Sequence, residues 1–99
     1  IVPYAFDSAT NLKSITIPSS VTTIGTEAFY HCSNLTTVTI DSPNIARQLT
    51  SRSAANYVIR YATTVYVKES AAVSLPAAFA NIFQETTSDI SGYNKYTSV

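Results

Sequence analysis

Two stretches of this chain are one pattern written twice. Phe6 and Phe29 each follow an alanine and stand 23 positions apart. The same offset carries Asn11-Leu12 onto Asn34-Leu35, Ile15 onto Val38, Ile17 onto Ile40, Ile1 onto Ile24 and Ala9 onto Cys32. One unit runs from Asn11 to Ser33, NLKSITIPSSVTTIGTEAFYHCS, and a second begins at Asn34. Such a period constrains the fold more than composition does, because each unit has to be a small element that stacks on its neighbour. Burying roughly seven apolar side chains contributes ~10–20 kcal/mol per unit at ~1.5–3 kcal/mol each. Fixing the unit's backbone costs more, at ~1–2 kcal/mol per residue. Only neighbours that share a continuous core tip that balance.

The unit also has an internal grammar. Leu12-x-x-Ile15-x-Ile17 and Leu35-x-x-Val38-x-Ile40 follow the leucine-rich-repeat pattern, and the period lies within its range of roughly 20 to 29 residues. The last three positions alternate as a strand does, which turns Thr16 and Thr39 away from the core. Threonine suits that place because it is β-branched and still polar. Pro18-Ser19-Ser20 reads as a turn, and Val21 and Ile24 point inward again. Gly25 permits a sharp bend. Ala28-Phe29 is expected as a single helical turn whose ring fills the space between the two sides.

After Ile40 the rhythm changes. Asp41-Ser42-Pro43 looks like a helix start, with Ser42 as N-cap and Pro43 at the first helical position. Ile45 and Leu49 share a face. Ser53 is the expected cap of a second helix, Ala54 to Tyr61, with Val58, Ile59 and Ala62 turned inward. ATTVYV, Ala62 to Val67, repeats the strand grammar 27 positions after Ile40. SLPAAFANIF suggests a third helix capped by Ser74, with Phe79, Ile82 and Phe83 as its apolar stripe. Beyond Gln84 aliphatic residues are few, and the segment is expected to be a tail or a short strand laid over the end. A stack of strands needs such a cap, because its last strand otherwise shows a bare edge.

The wording IPSSVTTIGTEAFYHCSNLTTVTI resembles the BspA-like leucine-rich repeat, whose consensus runs roughly I-P-x-S-V-T-x-I-G-x-x-A-F-x-x-C-x-x-L. Ile17, Pro18, Ser20, Val21, Thr22, Ile24, Gly25, Ala28, Phe29, Cys32 and Leu35 match it. The likeness covers Ile1 to Ile40, and Ile1-Val2 departs from its Ile-Gly pair. The resemblance implies an α/β leucine-rich-repeat solenoid with a short parallel concave sheet, and the later segments add a C-terminal helical cap. Repeats are expected over 1–67, in units near 11–33 and 34–67, with cap and tail over 68–99. Such repeats occur in cell-surface proteins, several of them adhesins. The resemblance therefore implies a non-catalytic protein- or glycan-binding module at the cell surface or outside the cell, with adhesion as its role. A structural spacer with no ligand of its own is the alternative.

Composition narrows the classes further. Six acidic and six basic side chains cancel, which leaves no basic footprint for nucleic acid. Charged residues make up 12% of the chain, about half the usual share, so Ser and Thr carry the polar surface. The longest apolar-looking run, Ala71 to Phe83, is too short to span a bilayer, and no membrane insertion is expected. No signal peptide is visible, and the chain reads as a piece of something longer. Cys32 is the only cysteine, so neither an internal disulfide nor a cysteine metal site is expected. Its place opposite Ala9 suggests a small buried filler. His31 has no partner in sequence and reads as a surface turn residue. The carboxylates are scattered, and no G-x-S-x-G elbow, phosphate loop or H-E-x-x-H occurs. An enzyme, a cofactor and a metal are therefore not expected. Asn34-Leu35-Thr36 is a formal glycosylation sequon, but Asn11 occupies the same place without the Thr, so Asn34 reads as a turn residue. The later tyrosines, Tyr57, Tyr61, Tyr93 and Tyr96, read as half-buried packing of the cap.

The candidate binding surface is the outward face of the strands. Ser14, Thr37 and Thr64 should form one row, and Thr16, Thr39 and Tyr66 the next, at the ~4.8 Å spacing of neighbouring strands. Lys13, Thr36 and Thr63 flank them, and Lys68 closes the far edge. Tyr66 is the expected anchor for a protein or glycan of a host or neighbouring cell. Contacts of this kind should depend only weakly on salt. The open side of the first rung, Leu12, Ile15 and Ile17, is expected to favour self-association.

Overall fold

The computed structural model describes residues 1–99. Strands β1 (Ser14–Ile17), β2 (Thr37–Ile40) and β3 (Thr64–Lys68) lie side by side and parallel. Their register pairs Ile15 with Val38 and Val65, and Ile17 with Ile40 and Val67. Val38, Ile40, Val65 and Val67 are fully buried. Alternation therefore gives the sheet one dry face. Phe29, Leu35, Ile45, Leu49 and Ile59 pack into the same core.

The turns that return the chain from one strand to the next repeat as faithfully as the strands do. Tyr4 and Ser8 have φ of 60° and 59°, and their partners 23 residues on, Glu27 and His31, have 52° and 64°. The two turns also bond to each other. Tyr4 N–H donates to the Thr26 carbonyl (2.9 Å), Phe6 to Ala28 (2.8 Å) and Ser8 to Tyr30 (2.8 Å). Inside this second ladder the rings of Phe6 and Phe29 stack with centroids 5.2 Å apart. Glycine is required at position 25, because a Cβ there would run into the backbone of Val2 and Pro3.

The third return departs from the pattern. Ser42 caps helix α1 (Pro43–Arg47) as expected, accepting from Ile45 N–H while its own hydroxyl donates to the Val21 carbonyl. The expected second helix is cut to α2 (Ala54–Tyr57), and Ser53 makes no cap bond. Ala55, Asn56 and Tyr57 take φ of 49°, 50° and 71°, a conformation L-residues visit singly and at a cost of about 1–2 kcal/mol each. The cause is visible in the bonding. In the regular ladder Gly25 N–H donates to the Ile1 carbonyl and Thr26 accepts from Tyr4. One rung further the carboxamide of Asn56 does both tasks. Its Nδ2 donates to the Ile24 carbonyl (2.6 Å) and its Oδ1 accepts from Glu27 N–H (3.2 Å).

The closing segment differs from the expected helical cap. Helix α3 (Glu69–Ala72) and a 3-10 turn (Ala77–Asn81) are a single turn or so each. Pro76, with an extended backbone, and an uncapped start replace the helix expected from Ser74. The sheet edge is covered instead by a hairpin of β4 (Phe83–Thr86) and β5 (Tyr93–Ser98). The result is a five-stranded mixed sheet in the order β1-β2-β3-β5-β4, with β5 antiparallel to β3. Phe79, Phe83 and Tyr96 pack as a cluster of rings. Arg52 ties the hairpin to the third return. Its guanidinium lies 4.5 Å from the Phe83 ring centroid, and it donates to the carbonyls of Ile59 (3.2 Å) and Ala62 (2.6 Å) and to the Ser98 hydroxyl. No helix is long and apolar enough to cross a membrane.

Candidate functional site

The wet face of the sheet carries the hydroxyl rows. Ser14 pairs with Thr37 and Thr37 with Thr64, while Thr16 pairs with Thr39 and Thr39 with Tyr66. Ser14 and Thr16 are exposed, and Thr37, Thr39 and Thr64 are half-buried. None of these five hydroxyls makes a hydrogen bond within the chain. A groove of about 370 Å³ lies over them, lined by Ser14, Ile15, Thr16, Thr37, Thr39, Tyr66 and Ile90.

The flanking residues serve the strands' entrances through their backbones. The Lys13 carbonyl accepts from the amides of Thr36 and Thr37, and the Thr36 carbonyl accepts from Thr63 and Thr64. The Thr63 hydroxyl also reaches the Thr36 carbonyl, at 3.3 Å. The side chain of Lys13 is exposed, and so is that of Lys68, which pairs with Tyr93 at the far end of β3.

Tyr66 is not the exposed anchor expected from alternation. It is only 8% exposed, because the turn between β4 and β5 folds over it. Its hydroxyl donates to Asp89 Oδ1 at 2.7 Å, and Lys95 Nζ lies 5.8 Å from its ring centroid and 3.7 Å from the same carboxylate oxygen. The bond to Tyr66 holds the Asp89 carboxyl below its ordinary range, and the bond to Asp89 pushes the Tyr66 phenol up. The turn also brings Ile90 to the groove, 42% exposed. Sequence reasoning took Ile15 for core alone, although it also lines the groove, and it missed Asp89, Ile90 and Lys95 altogether. These three come from a segment without a repeat, whose turn signals were Ser88-Asp89 and Ser91-Gly92, with Gly92 at φ 84°.

A second depression, of about 400 Å³, lies between the 3-10 turn and the hairpin. Its walls include Phe79, Phe83 and Tyr96, which are the cap's own core. It lacks the convergent free hydroxyls of the sheet groove.

The other singled-out residues have structural places. Cys32 is buried, its thiol donates to the Phe6 carbonyl at 2.9 Å, and burial pushes its pKa up. That environment disfavours the reactive thiolate. Asn34 Nδ2 donates to the Thr10 carbonyl of the preceding rung at 2.6 Å. His31 is exposed, with Nδ1 3.6 Å from Asp7 Oδ1. The Tyr93 hydroxyl donates to Asp41 Oδ1 at 2.6 Å and so anchors β5 to the end of β2.

A family model described as "BspA type Leucine rich repeat region (6 copies)" matches residues 1–86. No curated protein and no solved structure matches the chain.

Proposed function

The chain belongs to the BspA-type leucine-rich-repeat family, and on that premise we propose that it is a non-catalytic binding module of a cell-surface protein that docks a protein or glycan of a host or neighbouring cell on the wet face of its sheet. The observation that carries this reading is the groove over Ser14, Thr16, Thr37 and Thr39, whose hydroxyls have no partner within the chain. Each can both donate and accept a hydrogen bond. The repeat period places them in rows, so upstream units stacked in the same register would lengthen the surface into the concave face of a solenoid. Ile90 gives the groove an apolar end. Tyr66 contributes by fixing the turn that carries Ile90, since its own ring is covered.

The test is adhesion of the protein carrying this chain, with Thr16→Arg and Thr39→Arg together. Both side chains lie on the wet face, Thr16 exposed and Thr39 half-buried, so the arginines are directed away from the core. Binding to intact cells should fall about tenfold or more, as expected when a few central contacts are lost, while the circular dichroism and melting point stay unchanged. Added salt should weaken wild-type binding only slightly. Undiminished adhesion of the folded double variant would remove the sheet groove as the site. No adhesion by the wild type would favour the spacer role.

A further inference from the structure

The return turns carry a second organised surface, made of side chains that share none with the sheet groove. Tyr30 and Tyr57 pack against each other across neighbouring rungs, tilted by 44° with centroids 5.0 Å apart. His31 lies against Tyr30 on one side, at 3.8 Å between centroids. On the other side the Arg60 guanidinium sits 5.9 Å from the Tyr57 centroid and 5.6 Å from that of Tyr61. The turn bond from Arg60 N–H to the Tyr57 carbonyl (3.1 Å) sets the two residues beside each other. Tyr57 itself is delivered by the left-handed run that begins at Ala55.

Arg60 differs from the other two arginines. Arg47 donates to the side chain of Asn44, and Arg52 to the carbonyls of Ile59 and Ala62. Arg60 is exposed, lies over two tyrosine rings and has no ion pair with any carboxylate of the chain. Cation–π contact orders a guanidinium without using its N–H donors. Those donors match a carboxylate in a two-pronged geometry. Tyrosine and arginine are also the residue types that dominate the energetics of protein interfaces.

We propose that Tyr57, Arg60 and Tyr61, with Tyr30 beside them, form a second docking site for an acidic protein segment, whose Asp or Glu carboxylate is taken by Arg60 and whose flanking chain rests on the tyrosine rings. A protein segment fits better than an acidic sugar because neither groove of the chain lies at this patch, so the surface offers ring faces and one fork and no cleft to enclose a saccharide. The site is independent of the sheet groove and of the function assigned to it.

The experiment is an amide NMR titration of the full chain with a short blocked peptide of alternating Glu and Gly. The same peptide with Gln in place of Glu, and an oligoglucuronate, serve as the other two probes. Shifts should appear at Tyr57, Arg60 and Tyr61 with the Glu peptide and be absent with the Gln peptide. Arg60→Gln should weaken the Glu peptide about tenfold, the scale of one lost charge-assisted pair. Arg60→Lys should weaken it several-fold, because an ammonium lacks the planar fork. Spectra outside the patch report that both variants remain folded. Equal shifts with the Gln peptide, or unchanged affinity in Arg60→Gln, would overturn the proposal. So would a response to the oligoglucuronate without one to the Glu peptide.

Discussion

Replacing Asn56 with Ala tests whether one side chain substitutes for a missing rung of backbone. The change removes the donor to the Ile24 carbonyl and the acceptor of Glu27 N–H, both partly buried. Each stranded group costs about 1–2 kcal/mol at this level of burial. Alanine also tolerates the φ of 50° less well than asparagine, by about 1 kcal/mol. The expected loss is therefore about 3–5 kcal/mol, a large fraction of the ~5–15 kcal/mol that holds a domain together. Urea unfolding followed by circular dichroism measures it. Asn56→Asp sharpens the test. The introduced carboxylate keeps an acceptor for Glu27 but faces the Ile24 carbonyl without a donor. Protonation restores that donor, so the folded state raises the pKa of the new group. Its stabilising contribution is then present at low pH and lost as pH rises through that pKa. The aspartate variant should approach wild-type stability near pH 4 and the alanine variant's stability near pH 7, judged from an ordinary carboxyl pKa of about 4. A loss below about 1 kcal/mol for Asn56→Ala, or a pH-independent deficit for Asn56→Asp, would refute the substitution of side chain for backbone.

Three further expectations rest on other contacts. Phe29→Ala, at a fully buried ring stacked on Phe6, should cost about 3–5 kcal/mol in the same urea assay; an unmoved midpoint would place the ring outside the core. Gly25→Ala drives a Cβ into the backbone of Pro3 and should cost about 1–3 kcal/mol; if it is neutral, the two return turns are not in close contact. The turn over Tyr66 should loosen at both pH extremes. The depressed Asp89 carboxyl stabilises it at neutral pH and ceases to as pH falls below about 4, and the raised Tyr66 phenol ceases to as pH climbs above about 10. Protection of the amides of residues 87–92, taken as the exchange rate relative to an unstructured chain at the same pH, should fall as pH drops below about 4. It should also be lower in Tyr66→Phe than in the wild type at neutral pH, and the Tyr66 ring signals should report the loosening above about pH 10. Protection that does not change with pH or with the substitution would mean the Tyr66–Asp89 bond does not hold the turn.

The strands and their rows were legible because a fixed period specifies register directly. Once Phe6 falls on Phe29, the pairs Thr16 with Thr39 and Ile17 with Ile40 follow. Ser42 was legible too, since a small hydroxyl before proline is a local signal. What the sequence hid depends on distant partners. Helical spacing of Val58, Ile59 and Ala62 suggests a helix from Ala54, and all three are indeed buried, but the need of Ile24 and Glu27 for hydrogen-bond partners bends the chain into left-handed turns at Ala55–Tyr57. A strand over the end was one of the two expectations for the last segment, and β5 is that strand. That it comes as a hairpin with β4 was hidden because both are mostly polar, with Phe83 and Tyr96 as their only buried side chains. For the same reason strand alternation placed Tyr66 on the wet face but not beneath Asp89, which comes from 23 residues further on.

The central claim is that a partner docks on the wet face of the sheet. The most direct measurement is photo-crosslinking on intact cells, with a photoreactive phenylalanine analogue placed at Thr39 in one sample and at the exposed Glu85 on the hairpin edge in another. The account expects a discrete covalent adduct from position 39 and none from position 85. An adduct from position 85 alone, or none from position 39 while the protein still binds the cells, would contradict it.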